Sequence, residues 1–456
     1  MLARVSNDKA EAVGGQCMGN VTRGLLLAGA CLVLAGCLRD GDGAAGDDAE
    51  VSRAVAGPDV RPDAVARAKE AAHSSIISEL QARRSVLVPG SSFDQVAGSV
   101  LAAYSRSAEA DLLSARLRAE AASKNWLPRI GPNISLTSLS DIVTQLIVEQ
   151  VLYDNGRKTA ERAFAKADVE VAAVTLAEDV NGRVSEALSL YLAAAQARER
   201  LALERRTLED MSRFEWVMTE RVKGGVSDMS DLNILRSRLA EIREVMAGQI
   251  EAEATALAEL NAMAARPLGG VAGLSEVRVE AGTVRAIDVL RAEAEAERDT
   301  AAAVMARAGL LPGLTAGGTV GSGGSAIGLN LRSEQLLGLG TGAQLKAVEA
   351  EKEAVARRKL QVSEDSNRVV QRLDAQLAAL ARQVGEASVL RDTAQANLDL
   401  FQAQYDAGQR DVMDVVGVYE SFAARQVRAL ALKYELASVR LDLARHLGVL
   451  AEGSRI

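Results

Sequence analysis

NWLPRIGPNIS (125–135) stops an Ala-rich helical run at Leu127-Pro128 and starts a short polar/apolar alternation. GLLPGLTAGGT (309–319) repeats the break, with Leu311-Pro312 184 positions after Leu127-Pro128. Proline inside a helix costs roughly 3 kcal/mol, so Pro128 and Pro312 mark two helix-to-strand breaks. The other prolines stand at 58, 62, 89, 132 and 267, which leaves 133–266 and 313–456 free for uninterrupted helix.

Working outward, the punctuation recurs. Gly156 in LYDNGRK (152–158) matches Gly340 in LLGLGTG (336–342) at the same offset. RVKGGVSDMSDL (221–232) matches YDAGQRDVMDVV (405–416), pairing Gly225 with Gly408 and Asp231 with Asp414, now at 183. Leu260 and Leu443 keep that second offset. The chain is an internal duplication. Each copy reads as a helix, a Leu-Pro break, strand-like runs, a very long helix, a glycine turn and a returning helix.

The long helix of the first copy is expected between Gly156 and Gly224, a span of roughly 100 Å at 1.5 Å per residue. Val169, Leu176, Val180, Val184, Ala187 and Tyr191 recur at spacings of three, four and seven, an amphipathic stripe. Gly224 and Gly225 allow a tight turn with positive φ, and the return leg covers 231–264. That leg is shorter than the outgoing one, so the helix before Leu127-Pro128 stacks end-on with it.

NISLT (133–137) and AIGLNLR (326–332) alternate apolar residues with small or polar ones, and LTAGGTV (314–320) sets Thr315, Gly317 and Thr319 against apolar or small neighbours. This is the pattern of a barrel with a lipid face and a wet lumen. TQLIVEQV (144–151) alternates poorly. Four strands cannot close a barrel, and open edges cannot sit in lipid, so several chains are required.

Composition agrees. The chain has 456 residues, 3% aromatics and a net charge of −8, without a basic stripe, which argues for long helices and against a nucleic-acid partner. GLLLAGACLVLAG (24–36) is an apolar run of signal-peptide length, preceded by Arg23 and followed by Cys37. Met18 gives a more usual start than Met1. Cys17 and Cys31 fall within residues 1–36, the part removed with a signal peptide, so Cys37 would be the one mature cysteine. Residues 38–60 are acidic and Gly/Ala-rich, a flexible tether. The expected division is signal peptide 1–36, tether 37–60, helical extension 61–96 and repeat one 97–268, with strands at about 132–151 and a tip near 224–231. A linker at 269–280 leads to repeat two, 281–450, with strands at about 314–332 and a tip near 407–414, and to a tail at 451–456.

Leu34-Ala35-Gly36-Cys37 resembles a bacterial lipobox, which implies acylation of Cys37; Leu38 after it mildly favours the outer membrane. With the paired Leu-Pro breaks, LYDNGR and the two tip motifs, the chain resembles the TolC-type outer-membrane efflux protein family over about 90–450. The resemblance implies a mainly α fold with a small membrane β part. Duplicated hairpins would form an α-barrel, and four strands per chain would enter a trimeric twelve-stranded β-barrel. It further implies a homotrimer in outer-membrane lipid, joined through a periplasmic adaptor to an inner-membrane pump, exporting drugs or secreted proteins. The family's periplasmic gate corresponds to Tyr405 and Arg410 holding Ser230 and Asp231, with Asp414 lining the constriction, and Gly224, Gly225 and Gly408 turn the tips that meet the adaptor. Ser230 replaces a usual Thr, and Gly417 replaces a second Asp. Aromatics are scarce: Trp126 and Tyr153 bracket the first strand pair, but Leu310 and Leu337 replace them in the second.

No catalytic or cofactor motif is found. GSGGSAIG (321–328) lacks the P-loop ending and reads as an exposed turn. His73 and His446 lie outside metal-ligand spacing and read as solvated or capping residues. A periplasmic adaptor lipoprotein would have one hairpin between β domains, and a structural coiled-coil envelope lipoprotein would not need the Pro-bounded strands.

Overall fold

The computed structural model describes residues 74–104, 107–138, 141–279, 284–321, 324–332 and 338–455. The signal segment, Cys37, the tether, residues 61–73 with His73, and Leu337 lie outside the described residues.

Eight α-helices and four strands follow one another among the described residues. Helices α1 (Ser75–Ala82), α2 (Ser92–Ala103) and α3 (Ser107–Ser123) lead to strands β1 (Arg129–Ser138) and β2 (Asp141–Tyr153). The long hairpin α4 (Arg157–Lys223) and α5 (Met229–Met263) follows. The second copy runs α6 (Ile287–Gly309), β3 (Gly313–Gly321), β4 (Gly324–Arg332), α7 (Thr341–Asp406) and α8 (Val412–Leu447). The architecture is mainly α with one small antiparallel sheet, as the sequence implies.

The duplication is visible in element lengths. α4 has 67 residues and α7 has 66, which places the residue lost between offsets 184 and 183 in the outgoing helix. Near the strands the helices lie side by side in the order α3, α4, α6, α7; towards the tips the order is α5, α4, α8, α7. α3 and α5 therefore share the length of α4, and α6 and α8 share that of α7.

The predicted stripe of α4 faces the core. Leu176, Val180, Val184, Ala187 and Tyr191 are buried, and Val169 packs against them. They join Phe93, Val96, Leu260, Leu290, Leu443 and Leu447 in one cluster that collects α2, the middle of α4 and the helix ends. Tyr191 meets Phe93 edge-on at 5.9 Å and donates its hydroxyl to the Gly273 carbonyl at 2.6 Å.

Two buried polar side chains tie the chain's ends into this cluster. Arg83, 6% exposed, donates to the carbonyl of Leu447 (2.7 Å), an acceptor left over at the C-terminus of α8, and to that of Arg285 (2.8 Å), just before α6. Burial pulls its pKa below the usual arginine value, and Glu79 opposes the shift. Asn181, 2% exposed, accepts from the backbone N–H of Leu450 (2.8 Å) and Ala451 (3.3 Å) and donates to the Ala177 carbonyl (2.8 Å). Asn181→Ala strands two buried donors, at a cost of about 1–3 kcal/mol each. Amide exchange at Leu450 and Ala451, read by mass spectrometry, should accelerate roughly ten-fold or more.

Candidate functional site

The strands form a single sheet in the order β1-β2-β3-β4, every pair antiparallel. The ladder places Ile130 opposite Val148, Val148 opposite Gly318, and Gly318 opposite Ile327. The next row holds Pro132, Leu146, Val320 and Ser325. Ile130, Ile134, Leu146, Val320, Ile327, Leu329 and Leu331 are all exposed, Ile327 at 94%. One face is therefore an uncovered apolar wall.

The opposite face carries Arg129 across from Glu149, Asn133 across from Gln145, and Thr315 across from Asn330. The poorly alternating segment 144–151 belongs to β2, the longest strand, with 13 residues. Its irregularity has two causes. Ile147 and Val151 sit on the polar face, and Gln150 falls on the apolar one, where its amide donates to the Trp126 carbonyl at 2.8 Å. A register shift between Val151 and Tyr153 breaks the ladder before its last pair, Tyr153 with Leu314.

GSGGSAIG is not a free turn: Gly324–Gly328 already belong to β4, and only 322–323 lie between the strands, outside the described residues. Pro128 and Pro312 stand between a helix end and the first residue of β1 and β3. Trp126 and Tyr153 are exposed at the helix-side end of the sheet, whereas Leu310 is buried and has no matching position at that surface.

At the other end of the hairpins, both tips have one geometry. Gly225 and Gly408 have φ of 70° and 72°. The N–H of Gly225 bonds Val222 O and that of Val226 bonds Arg221 O; Gly408 and Gln409 repeat the pattern on Tyr405 and Gln404. This glycine-terminated bonding closes each outgoing helix. Three residues later an Asp starts the return: Asp228 caps α5 by accepting from the Ser230 N–H, and Asp411 caps α8 by accepting from the Val412 N–H. The bonds from Ser230 hold the Asp228 pKa below its usual value. The sequence pattern Gly-x-x-Asp, present in both copies, signals these caps and was not among the expected site residues. Gly224 has φ of −79° and stands at the helix end without needing to be glycine. Gly340, the partner of Gly156 in the sequence repeat, has φ of −82°, whereas Gly156 has 85°.

Of the expected gate residues, Arg410 and Asp414 come together at 3.9 Å. Arg410 also donates to Gln404 Oε1 at 3.1 Å and lies over the Phe401 ring, 4.6 Å from its centroid. Tyr405 is half-buried against the apolar core below the tips. Ser230 is exposed, Asp231 half-buried, and among the described residues neither bonds to Tyr405 or Arg410 within the chain.

His446 is neither solvated nor a helix cap. Its Nε2 is 3.0 Å from Ser366 Oγ and its Nδ1 3.5 Å from Asp288. The order is that of a hydrolytic triad, but Ser366 is 4% exposed in mid-helix, where the backbone N–H groups are consumed by the helix and offer no oxyanion donor. Nearby, Glu178 pairs with Arg291; burial pushes its carboxyl up to about 7, with Arg291 opposing. Among the described residues there is no cluster of three potential metal ligands, and no helix is long and apolar enough to cross a membrane.

No protein-family model and no curated protein matches this sequence. Solved structures do. The outer membrane protein VceC of Vibrio cholerae aligns with a TM-score of 0.67 at 17% identity, over 78% of this chain and 96% of that one. The CmeC outer membrane channel of Campylobacter jejuni gives 0.64 at 12%, over 79% and 86%. The open state of the MtrE outer membrane channel of Neisseria gonorrhoeae gives 0.61 at 16%, over 83% and 89%. This chain has the TolC-type fold.

Within that fold the tip glycines are a backbone requirement. Gly225→Ala or Gly408→Ala places a side chain at positive φ and should cost about 1–2 kcal/mol, while Gly340→Ala should be neutral or stabilising. Thermal melting of the three variants checks the ranking. Glu178 makes a separate prediction. Its folded pKa, about 7, lies above the ordinary 4.5, so between these values the folded state keeps a proton that the unfolded state has lost. Stability should fall as pH rises from 4.5 to 7, by on the order of 1–3 kcal/mol, and Glu178→Gln should flatten that slope.

Proposed function

We propose that this protein is the outer-membrane exit duct of a tripartite efflux or type I secretion system, assembled as a homotrimer. One observation carries the reading: among the described residues, an apolar wall backed by a polar face ends in two unpaired strand edges, and the same two sides are unpaired in the helical row beneath. On one side stand β1, α3 and α5; on the other stand β4 and α7. Leu113 and Leu117 of α3, Ile234 and Ile250 of α5, and Leu360, Val389 and Leu400 of α7 are exposed apolar residues on these flanking helices. A lipid-spanning sheet cannot keep open edges, so the β4 side of one chain pairs with the β1 side of the next. Three chains give twelve strands around a wet lumen.

The same reading supplies the finer assignments. The lipobox ending at Cys37 would provide a lipid anchor after signal cleavage, and exposed Trp126 and Tyr153 suit the periplasmic-side interface of the outer membrane. The tips at Gly224, Gly225 and Gly408 lie farthest from the sheet and would meet a periplasmic adaptor joined to an inner-membrane pump. In the trimer, Tyr405 and Arg410 would hold Ser230 and Asp231 of an adjacent hairpin, with Asp414 at the constriction. Such charge-assisted contacts, summed over three subunits, supply on the order of a few kcal/mol, enough to close a tunnel that an adaptor can open.

The protein purified in detergent should run as a heat-sensitive trimer and give discrete conductance steps in planar bilayers. A monomer without conductance overturns the duct. Tyr405→Phe combined with Arg410→Ser should raise the conductance; an unchanged value removes both residues from the gate.

A further inference from the structure

Within one chain, a pair outside the expected gate joins the two tips. Arg221, in the last turn of α4, donates from Nε to Ser227 Oγ at 2.9 Å, within its own tip. Its terminal nitrogen lies 3.3 Å from Asp411 Oδ1, on the other tip. Asp411 is the N-cap of α8, and the same oxygen accepts from the Val412 N–H at 2.7 Å. Arg221 is thus anchored to the first turn by one nitrogen and to the cap of the second by another. By contrast, the contacts of Arg410 with Gln404, Asp414 and Phe401 all stay inside the second hairpin.

The layer below makes the pair mechanically relevant. Met211 and Met218 of α4, Leu235 of α5, Leu398 of α7, and Val412, Val415 and Phe422 of α8 form one apolar core, so all four arms are packed together near the tips. Tyr419 donates to Asp210 at 2.7 Å, linking α8 to α4, and Arg238 pairs with Glu420 at 3.1 Å, linking α5 to α8. Past this core the turns project without further packing, as exposed Val226 and Met229 show. The ion pair is what continues the connection out to the turns.

We propose that Arg221 and Asp411 form a clasp that couples the two tips of one chain, so that displacement of either is transmitted to the other. Its use in opening a tunnel rests on the duct reading; the clasp itself does not. The side chains are 35% and 52% exposed, so the contact is weak enough to be remade and is screened by salt.

Asp411→Asn is the decisive variant, because asparagine still caps a helix while the charge is lost. Hydrogen exchange on the full-length protein is the readout. Exchange at residues 222–228, on the tip that was not mutated, should accelerate roughly two- to five-fold. Arg221→Gln should do the same to 409–412, and Arg221→Lys should restore part of the protection. In the wild type, raising salt from about 0.05 to 1 M should move both tips towards the variant values. Acceleration confined to 409–415 in Asp411→Asn, with 222–228 unchanged, overturns the clasp. Conductance is recorded on the same samples. Its absence from the wild type refutes the duct and leaves the exchange result to judge the clasp alone.

Discussion

The outer edges of β1 and β4 dictate most of what this chain must do. Among the described residues, β2 and β3 have a partner on each side, and β1 and β4 each have one. In water a spare edge is managed with charges, bulges or covering loops, whereas in hydrocarbon each unpaired N–H or C=O costs several kcal/mol. The apolar face leaves little room for the aqueous solution. The helical row inherits the constraint, because each helix continues a strand. α3 lies under β1 and α7 under β4, so the seam that is open in the sheet is open along the helices too. The two sides differ in their elements, so in the proposed assembly the contact between chains would be head-to-tail, which closes into a ring where the rotation between neighbours allows it.

Duplication explains how such a long object stays level. Outgoing helices of 67 and 66 residues and returns of 35 and 36 bring both turns to the same height. A longer arm in one copy would leave one tip projecting beyond the other. The one-residue loss is absorbed inside α7, where the helix can rotate its surface residues, and not at the turns. Both turns retain a left-handed glycine followed three residues later by an aspartate cap. The conserved element of the duplication is therefore a hydrogen-bonding scheme, since the side chains around it differ between copies.

Much of this was legible in the sequence because the features are local. Pro128 and Pro312 interrupt helices by their own chemistry, Gly225 and Gly408 fit a backbone state that other residues avoid, and the α4 stripe follows from helical periodicity. The β1, β3 and β4 runs showed alternation for the same reason. β2 was obscured because Gln150, on the apolar face, serves a bond to Trp126 at the strand's end, so its polarity reports on a neighbour and not on a face. The Gly156–Gly340 match illustrates the opposite error: two glycines align, but only one needs to be glycine. Arg83, Asn181 and His446 could not be read at all. Their partners lie far away along the chain, and nothing in the residues beside them signals burial. At the tips, Asp228 and Asp411 were visible in principle as N-caps, while the Arg221 contact depends on how two hairpins pack.

The distribution of large side chains sets where the chain can yield. Leucine, phenylalanine and tyrosine concentrate in the cluster through the middle of α4 and in the smaller one near the tips. Between the middle of the chain and the strands, α4, α6 and α7 meet across a groove of about 870 Å³ whose apolar lining is mostly alanine, as at Ala160, Ala163, Ala296 and Ala356, among charged residues such as Lys166 and Glu293. Alanine gains little by burial, so that stretch is held by helix continuity and by ion pairs such as Lys359–Glu293 at 2.8 Å more than by packing. Arg83 and Asn181 reinforce the middle cluster with hydrogen bonds to backbone groups at Leu447, Arg285, Leu450 and Ala451. The tip cluster has fewer members and ends short of the turns. Movement that leaves both the middle cluster and the sheet end intact is taken up at the tips, where the contacts are few, partly wet and individually weak, and where a single guanidinium bridging two turns has leverage that it would lack in the core.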